Sequence, residues 1–154
     1  MLRGKRLAVA LIAAAFGWMA LAATGGAGGA TGPATIRITD VQLADRIVLP
    51  SGGGRAGTIE TIRQQLYNPS RSKRAIGRSL IVCTSSDARD RLCTGTYILP
   101  RGSLVVTGAL QSRLLYELPV VGGTGLYDNA RGTLTVTASQ LHPRHEVLVF
   151  RLVG

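Results

Sequence analysis

Histidine, cysteine and aromatic side chains are scarce in this 154-residue chain: two His, two Cys, and aromatics at 5%. Two Cys and two His without zinc-ligand spacing give no reason to expect a metal site. No Ser-His-Asp set and no pair of acids at catalytic spacing stands out. No Lys follows the run Gly122-Gly123-Thr124-Gly125, and the segment after it reads as a strand, which removes a P-loop. The lack of a long amphipathic helix after that run removes a dinucleotide-binding turn. Acidic residues number eight against eighteen Lys and Arg, yet the basic residues are dispersed. Only Arg71, Lys73, Arg74 and Arg78 form a dense patch, with no aromatics interleaved, so a solvated basic surface is expected and nucleic-acid binding is not. Loose affinity for anionic cell-surface polymers is compatible with such a surface. There is no repeat of fixed period and no second domain.

What is present begins with a leader. Leu2-Arg3-Gly4-Lys5-Arg6 is a basic start, and Leu7 to Ala23 is an uncharged, Ala-rich apolar run. Ala20-Leu21-Ala22 is a small-x-small cleavage pattern, with Ala27 to Ala30 as a second choice. An uncleaved anchor is the rival reading. The run falls a little short of the ~20 residues a spanning helix needs, so residues 1–30 are expected to be a secretory signal peptide and linker. A secreted location and no membrane association after cleavage follow. No Cys follows the run, which excludes a lipoprotein anchor. Removing Arg3, Lys5 and Arg6 lowers the formal net charge from +10 to +7. Cys83 and Cys93 then form an even pair in an exported chain, the usual setting of a disulfide. The polar turn from Ser85 to Asp90 folds the strands on either side back on each other, with the two Cys as a facing pair.

Short β-rich runs separated by turn residues fill the rest of the chain. They are residues 36–43, 58–67, 76–84, 92–99, 103–110, 114–121, 133–140 and 146–153. Pro119 limits pairing in the sixth. The pattern predicts an all-β domain over residues 31–154: an antiparallel meander that closes into a barrel and so leaves no exposed edge. A β-sandwich is the alternative. Alternation gives each strand two faces. In the fourth, Cys93, Gly95, Tyr97 and Leu99 share one side. In the second, Thr58, Glu60, Ile62, Gln64 and Leu66 oppose Ile59, Thr61, Arg63, Gln65 and Tyr67. Mixed faces of this kind fit a pocket lining with a few polar groups, and an exposed twisted strand as well.

The run Val120 to Gly132, VVGGTGLYDNARG, is the most distinctive stretch. On local grounds Gly122, Gly123 and Gly125 are expected to adopt positive φ in a corner between the sixth and seventh strands. The run resembles the signature of plant dirigent proteins, of allene oxide cyclases and of their bacterial barrel-like relatives. Tyr67-Asn68 with Arg74-Ala75-Ile76-Gly77, the strand Gly102 to Gly108, Leu118-Pro119-Val120-Val121 and the closing Val147 to Leu152 are similar to further family segments. The resemblance spans roughly residues 36–154. It implies an eight-stranded antiparallel calycin-like β-barrel, often a homotrimer, that works without metal or organic cofactor. It also implies a small hydrophobic or phenolic ligand whose cyclisation or coupling is steered by holding it in one reactive conformer. Plant cyclases carry a Glu and an Asn on the first strand that hold a water. The approximate counterparts here are Gln42 and Ala44, so plant-type allene oxide cyclisation is not expected.

Asp40, Glu60 and Tyr97 are the candidate catalytic residues. The resemblance implies an acidic role for Asp40 on the first strand. Glu60 is a candidate inward general acid, or else a surface partner of Arg63 or Arg78. Tyr97 is a candidate donor to a substrate carbonyl, or else a packed core tyrosine. Gln42, Tyr67 and Arg131 are candidate ligand-binding residues, with Arg131 alternatively tying the glycine turn to the barrel. Two further functions are a non-catalytic lipocalin-like carrier and a structural or interaction barrel with a filled interior.

Overall fold

The computed structural model describes residues 33–52, 54–69, 74–87, 89–111, 114–139 and 144–153. The leader, Arg71, Lys73 and His142 lie outside them. Strands β1 (Ala34–Val48), β2 (Ile59–Tyr67), β3 (Ala75–Ser85), β4 (Arg91–Leu99), β5 (Gly102–Leu110), β6 (Leu115–Gly125), β7 (Arg131–Ala138) and β8 (His145–Val153) follow one another around a closed antiparallel barrel. β1 closes it by pairing with β8 over Ala34 to Val41 and with β2 over Thr39 to Val48. The end at which β1 finishes and β2 begins is called the upper end below. At the lower end β4 turns into β5 and β6 into β7.

Period-two alternation decides which side chains fill the barrel. Tyr97, Phe150, Leu66, Leu104, Leu118, Leu134 and Leu148 are completely buried, and Tyr97 meets Phe150 edge-to-face with ring centres 5.1 Å apart. Each such side chain contributes roughly 1.5–3 kcal/mol on burial. Of the two faces that alternation gives β4, the one with Cys93, Gly95, Tyr97 and Leu99 points inward. So does the Glu60, Gln64, Leu66 face of β2. Cys83 and Cys93 face each other across β3 and β4 and are joined by a disulfide inside the barrel. Closing a loop with a sequence separation of 10 stabilises the fold by about 3 kcal/mol.

Two strands are longer than the sequence pattern predicts. β1 continues past Leu43 because Leu43 forms a bulge between Gln42 and Ala44; the strand bends there and leaves β8 to follow β2. β6 continues through the glycine run, which corrects the expected corner. Gly122, Gly123 and Gly125 pair with Val105, Leu104 and Gly102 of β5, and the turn proper is residues 126–130. Of those three glycines only Gly125, at φ 63°, is left-handed. Gly123 is required by proximity: a β-carbon there would stand 2.3 Å from the Tyr127 carbonyl oxygen and 2.6 Å from that of Ser103.

Candidate functional site

The lower half of the interior is apolar, and polar side chains gather toward the upper end. Asp40 of β1, Gln64 of β2, Ser79 of β3 and Glu146 of β8 are all buried. Asp40 and Glu146 are direct cross-strand partners, and the Glu146 N–H donates to Asp40 Oδ1 at 3.0 Å. Gln64 Nε2 donates to Glu146 Oε2 at 2.9 Å, and Ser79 Oγ donates to Gln64 Oε1 at 2.6 Å. Arg144 Nη2 donates to Glu146 Oε1 at 3.1 Å from just before β8. One network therefore joins four strands.

Two polar atoms beside this network lack hydrogen-bond partners among the described residues: Asp40 Oδ2 and the Tyr97 hydroxyl. Gly95 explains the Tyr97 pose. With no side chain at Gly95, the Tyr97 ring leans over it toward the upper end; a β-carbon there would stand 3.2 Å from Tyr97 Cε2. Burial, then the neighbouring Glu146 carboxylate, pushes the Asp40 carboxyl up to about 8, against the opposing pull of the Glu146 N–H and of Arg144. Asp40 is consequently a carboxylic acid that holds its proton at neutral pH and can donate it. Burial likewise raises the phenols of Tyr97 and Tyr116, with Glu146 and Asp40 adding to the effect in both.

Glu60 and Arg91 close the network from above. Arg91 Nη1 donates to Glu60 Oε2 at 2.6 Å, and their side chains are only 10–12% exposed. Beneath the pair is a cavity of about 20 Å³ lined by Glu60, Gln64, Cys83, Arg91, Tyr116 and Glu146 among others. That is room for roughly one water. Above it an open basin of about 860 Å³ lies among the upper connections, with Ile47, Leu49, Arg55, Thr58, Arg89, Arg91 and Gln111 on its walls. Arg91 lines both spaces. Among the described residues the interior is thus filled, and a ligand-sized space sits at the upper mouth.

The structure brings Asp40, Glu60 and Tyr97 to this end of the interior. Gln42 is half-buried on β1 opposite Gln64, its N–H bonded to the Arg144 carbonyl. Tyr67 lies at the lower end, its hydroxyl donating to outward Gln65 Oε1 at 3.0 Å. Arg131 is exposed on the lower rim, where Nη1 donates to the Ala130 carbonyl. The glycine motif and the polar network therefore occupy opposite ends. Glu60 does not reach Arg63 or Arg78, which point outward from β2 and β3. Gln64, Ser79, Arg91, Arg144 and Glu146 join the site although no motif in the sequence marks them. Inward period-two parity was the available signal for Gln64 and Glu146, and only cross-strand register shows whom they meet.

No protein-family model and no curated protein sequence matches the chain. Solved structures do. Pyocyanin demethylase superposes with a TM-score of 0.63 at 18% identity, covering 75% of this chain and 98% of that one. A pterocarpan synthase dirigent protein gives 0.60 at 18% identity, over 82% and 99%. A Diels-Alderase from Streptomyces koyangensis gives 0.61 at 18% identity, over 79% and 69%. At these identities the likeness is one of fold. The architecture is that of dirigent and cyclase barrels, as the resemblance in the sequence implied.

Proposed function

We propose that this barrel binds a small apolar or phenolic molecule at its upper end and steers its cyclisation or coupling, with Asp40 as the proton donor. The observation that carries the reading is the ligand-sized basin that meets, at the Glu60–Arg91 pair, a small cavity lined by Gln64, Tyr116 and Glu146, the last of these the cross-strand partner of the buried, proton-bearing Asp40. A general acid works best when its pKa lies near the working pH, and Asp40 meets that condition. Tyr97 and Tyr116 supply neutral hydroxyls beside it, suited to steadying charge that develops on a substrate oxygen. Glu60 stands next in line on the route inward, and Gln42 lies at the bend of β1 beside Gln64. Tyr67 and Arg131, at the lower end, fall outside the proposed site. The solved neighbours named for dirigent and Diels-Alderase activity support a steering role for this fold. The proposed chemistry calls on no metal or organic cofactor.

The test is metabolite profiling. Extract from the source culture is incubated with wild-type protein and with Asp40→Asn, and products are resolved by chiral chromatography and mass spectrometry. Wild type is expected to convert at least one component to a single stereoisomer, and the variant to do so at least about 100-fold more slowly. Identical profiles with and without wild-type protein would remove the reading.

The proposal includes export and self-assembly. The disulfide fits an oxidising compartment, in line with cleavage of the leader and a secreted product. On the outer face of β3–β5, no outward position from Leu80 to Thr84, Leu92 to Ile98 or Ser103 to Ala109 carries a charge. Leu80, Val82, Leu92 and Ile98 are exposed on it. Contiguous apolar surface of this kind marks interaction sites, and a homotrimer is the assembly proposed.

A further inference from the structure

The walls of the upper basin combine features that no part of the proposed reaction uses. Arg55 and Arg89 are exposed and stand on the same rim as Arg91. Of the two acids on that rim, Asp87 is turned onto its own backbone. Its Oδ1 accepts the N–H groups of Arg89 at 2.7 Å and Asp90 at 2.8 Å, and these bonds hold its carboxyl below the usual range. Asp90 is the other. Thr58 Oγ1 lines the basin shielded from solvent and has no hydrogen-bond partner among the described residues. Ile47 and Leu49 form an apolar flank although they are 56% and 67% exposed. Three cations against the two carboxylates of Asp87 and Asp90, an unmet hydroxyl and an apolar wall in one basin of about 860 Å³ suit an amphiphilic anion.

We infer that the basin is a binding site for a small carboxylate with an apolar body, seated with its head on Arg55, Arg89 and Arg91 and its body on Ile47 and Leu49. This rests on the proposed steering function and gives its substrate class. Arg91 also makes the site a gate. Its guanidinium is held inward by one carboxylate, Glu60, at 2.6 Å. A ligand carboxylate offers the same planar partner from the basin side. Exchange of one partner for the other swings the side chain outward, which joins the basin to the cavity that Glu146 and Tyr116 line.

The test uses 4-phenylbutyrate and its uncharged amide, titrated into folded protein by calorimetry and by amide NMR. The acid is expected to bind at least 10-fold more tightly than the amide and to weaken as salt is added. Arg55→Gln/Arg89→Gln, a change confined to exposed side chains, is expected to weaken the acid at least 10-fold with the melting temperature unchanged. Binding of the acid is expected to move the backbone amides of Glu60 and Gln64. Equal affinity for acid and amide, or an unaffected double variant, overturns the site. Shifts that stop at the basin rim overturn the gate. Carboxylate binding by a protein that converts nothing would retire the steering function and leave the site standing. Turnover with no preference for the acid would do the reverse.

Discussion

Asp40 is the residue on which stability and chemistry meet. Its carboxyl is raised from the ordinary range to about 8 by burial beside Glu146. The folded state therefore binds that proton more tightly than the unfolded chain. The resulting stability is fully present below about pH 4 and is lost as pH rises through about 8. Asp40→Asn keeps an acceptor for the Glu146 N–H and carries no charge, so its advantage should grow with pH. Thermal unfolding is expected to show the variant within about 2 °C of wild type at pH 5 and above it by about 4 °C or more at pH 9. A constant difference across that range would contradict the assignment. That Glu60 shares a face with Gln64, and Tyr97 with Cys93, could be read from strand parity alone. The partners of Asp40 and Glu60 could not. Glu146 lies 106 positions from Asp40 and Arg91 lies 31 from Glu60, and only barrel closure with a fixed register brings them together.

Among the elements, β6 and β1 carry the lessons. Alternation between turn residues reveals eight strands, because each needs only local pattern. It misplaces strand ends wherever a bulge keeps the ladder going. Leu43 looks like the end of a strand and is its bend; Gly122 to Gly125 looks like a corner and is the last part of β6. The two neighbouring glycines there have different jobs, which yields a paired prediction. Gly123→Ala forces a β-carbon into two carbonyl oxygens and is expected to cost about 2–3 kcal/mol in urea unfolding. At Gly122 the nearest atom to such a carbon is Arg131 Nη1, 3.8 Å away, so Gly122→Ala should stay within about 0.5 kcal/mol. Equal losses would mean that the motif is held by backbone freedom rather than by the close approach of Tyr127. Its distance from the acid network explains why so distinctive a stretch marks the fold and leaves the chemistry unread.

For the whole molecule, closure decides what the barrel has to offer. All eight strands have a paired neighbour on both sides, so no whole strand stands at an edge, though the β5–β6 ladder stops at Val106 and Val120. The core is filled, and a ligand-sized basin at the upper mouth meets the small cavity beside the buried acids at Arg91. The uncharged face of β3–β5 is the surface that the proposed trimer would use. Val82→Glu, an outward and exposed position on that face, is expected to convert a trimer to monomer in sedimentation, with the barrel's circular dichroism intact. Wild type that sediments as a monomer at tens of micromolar would refute the assembly. The central claim is that the upper end holds a small molecule over the buried acids. Native mass spectrometry of protein purified from its own culture tests it most directly. The account predicts a discrete added mass of a few hundred daltons on wild type, lost in Arg55→Gln/Arg89→Gln. Bare protein in both, under conditions that keep the fold intact, would contradict it.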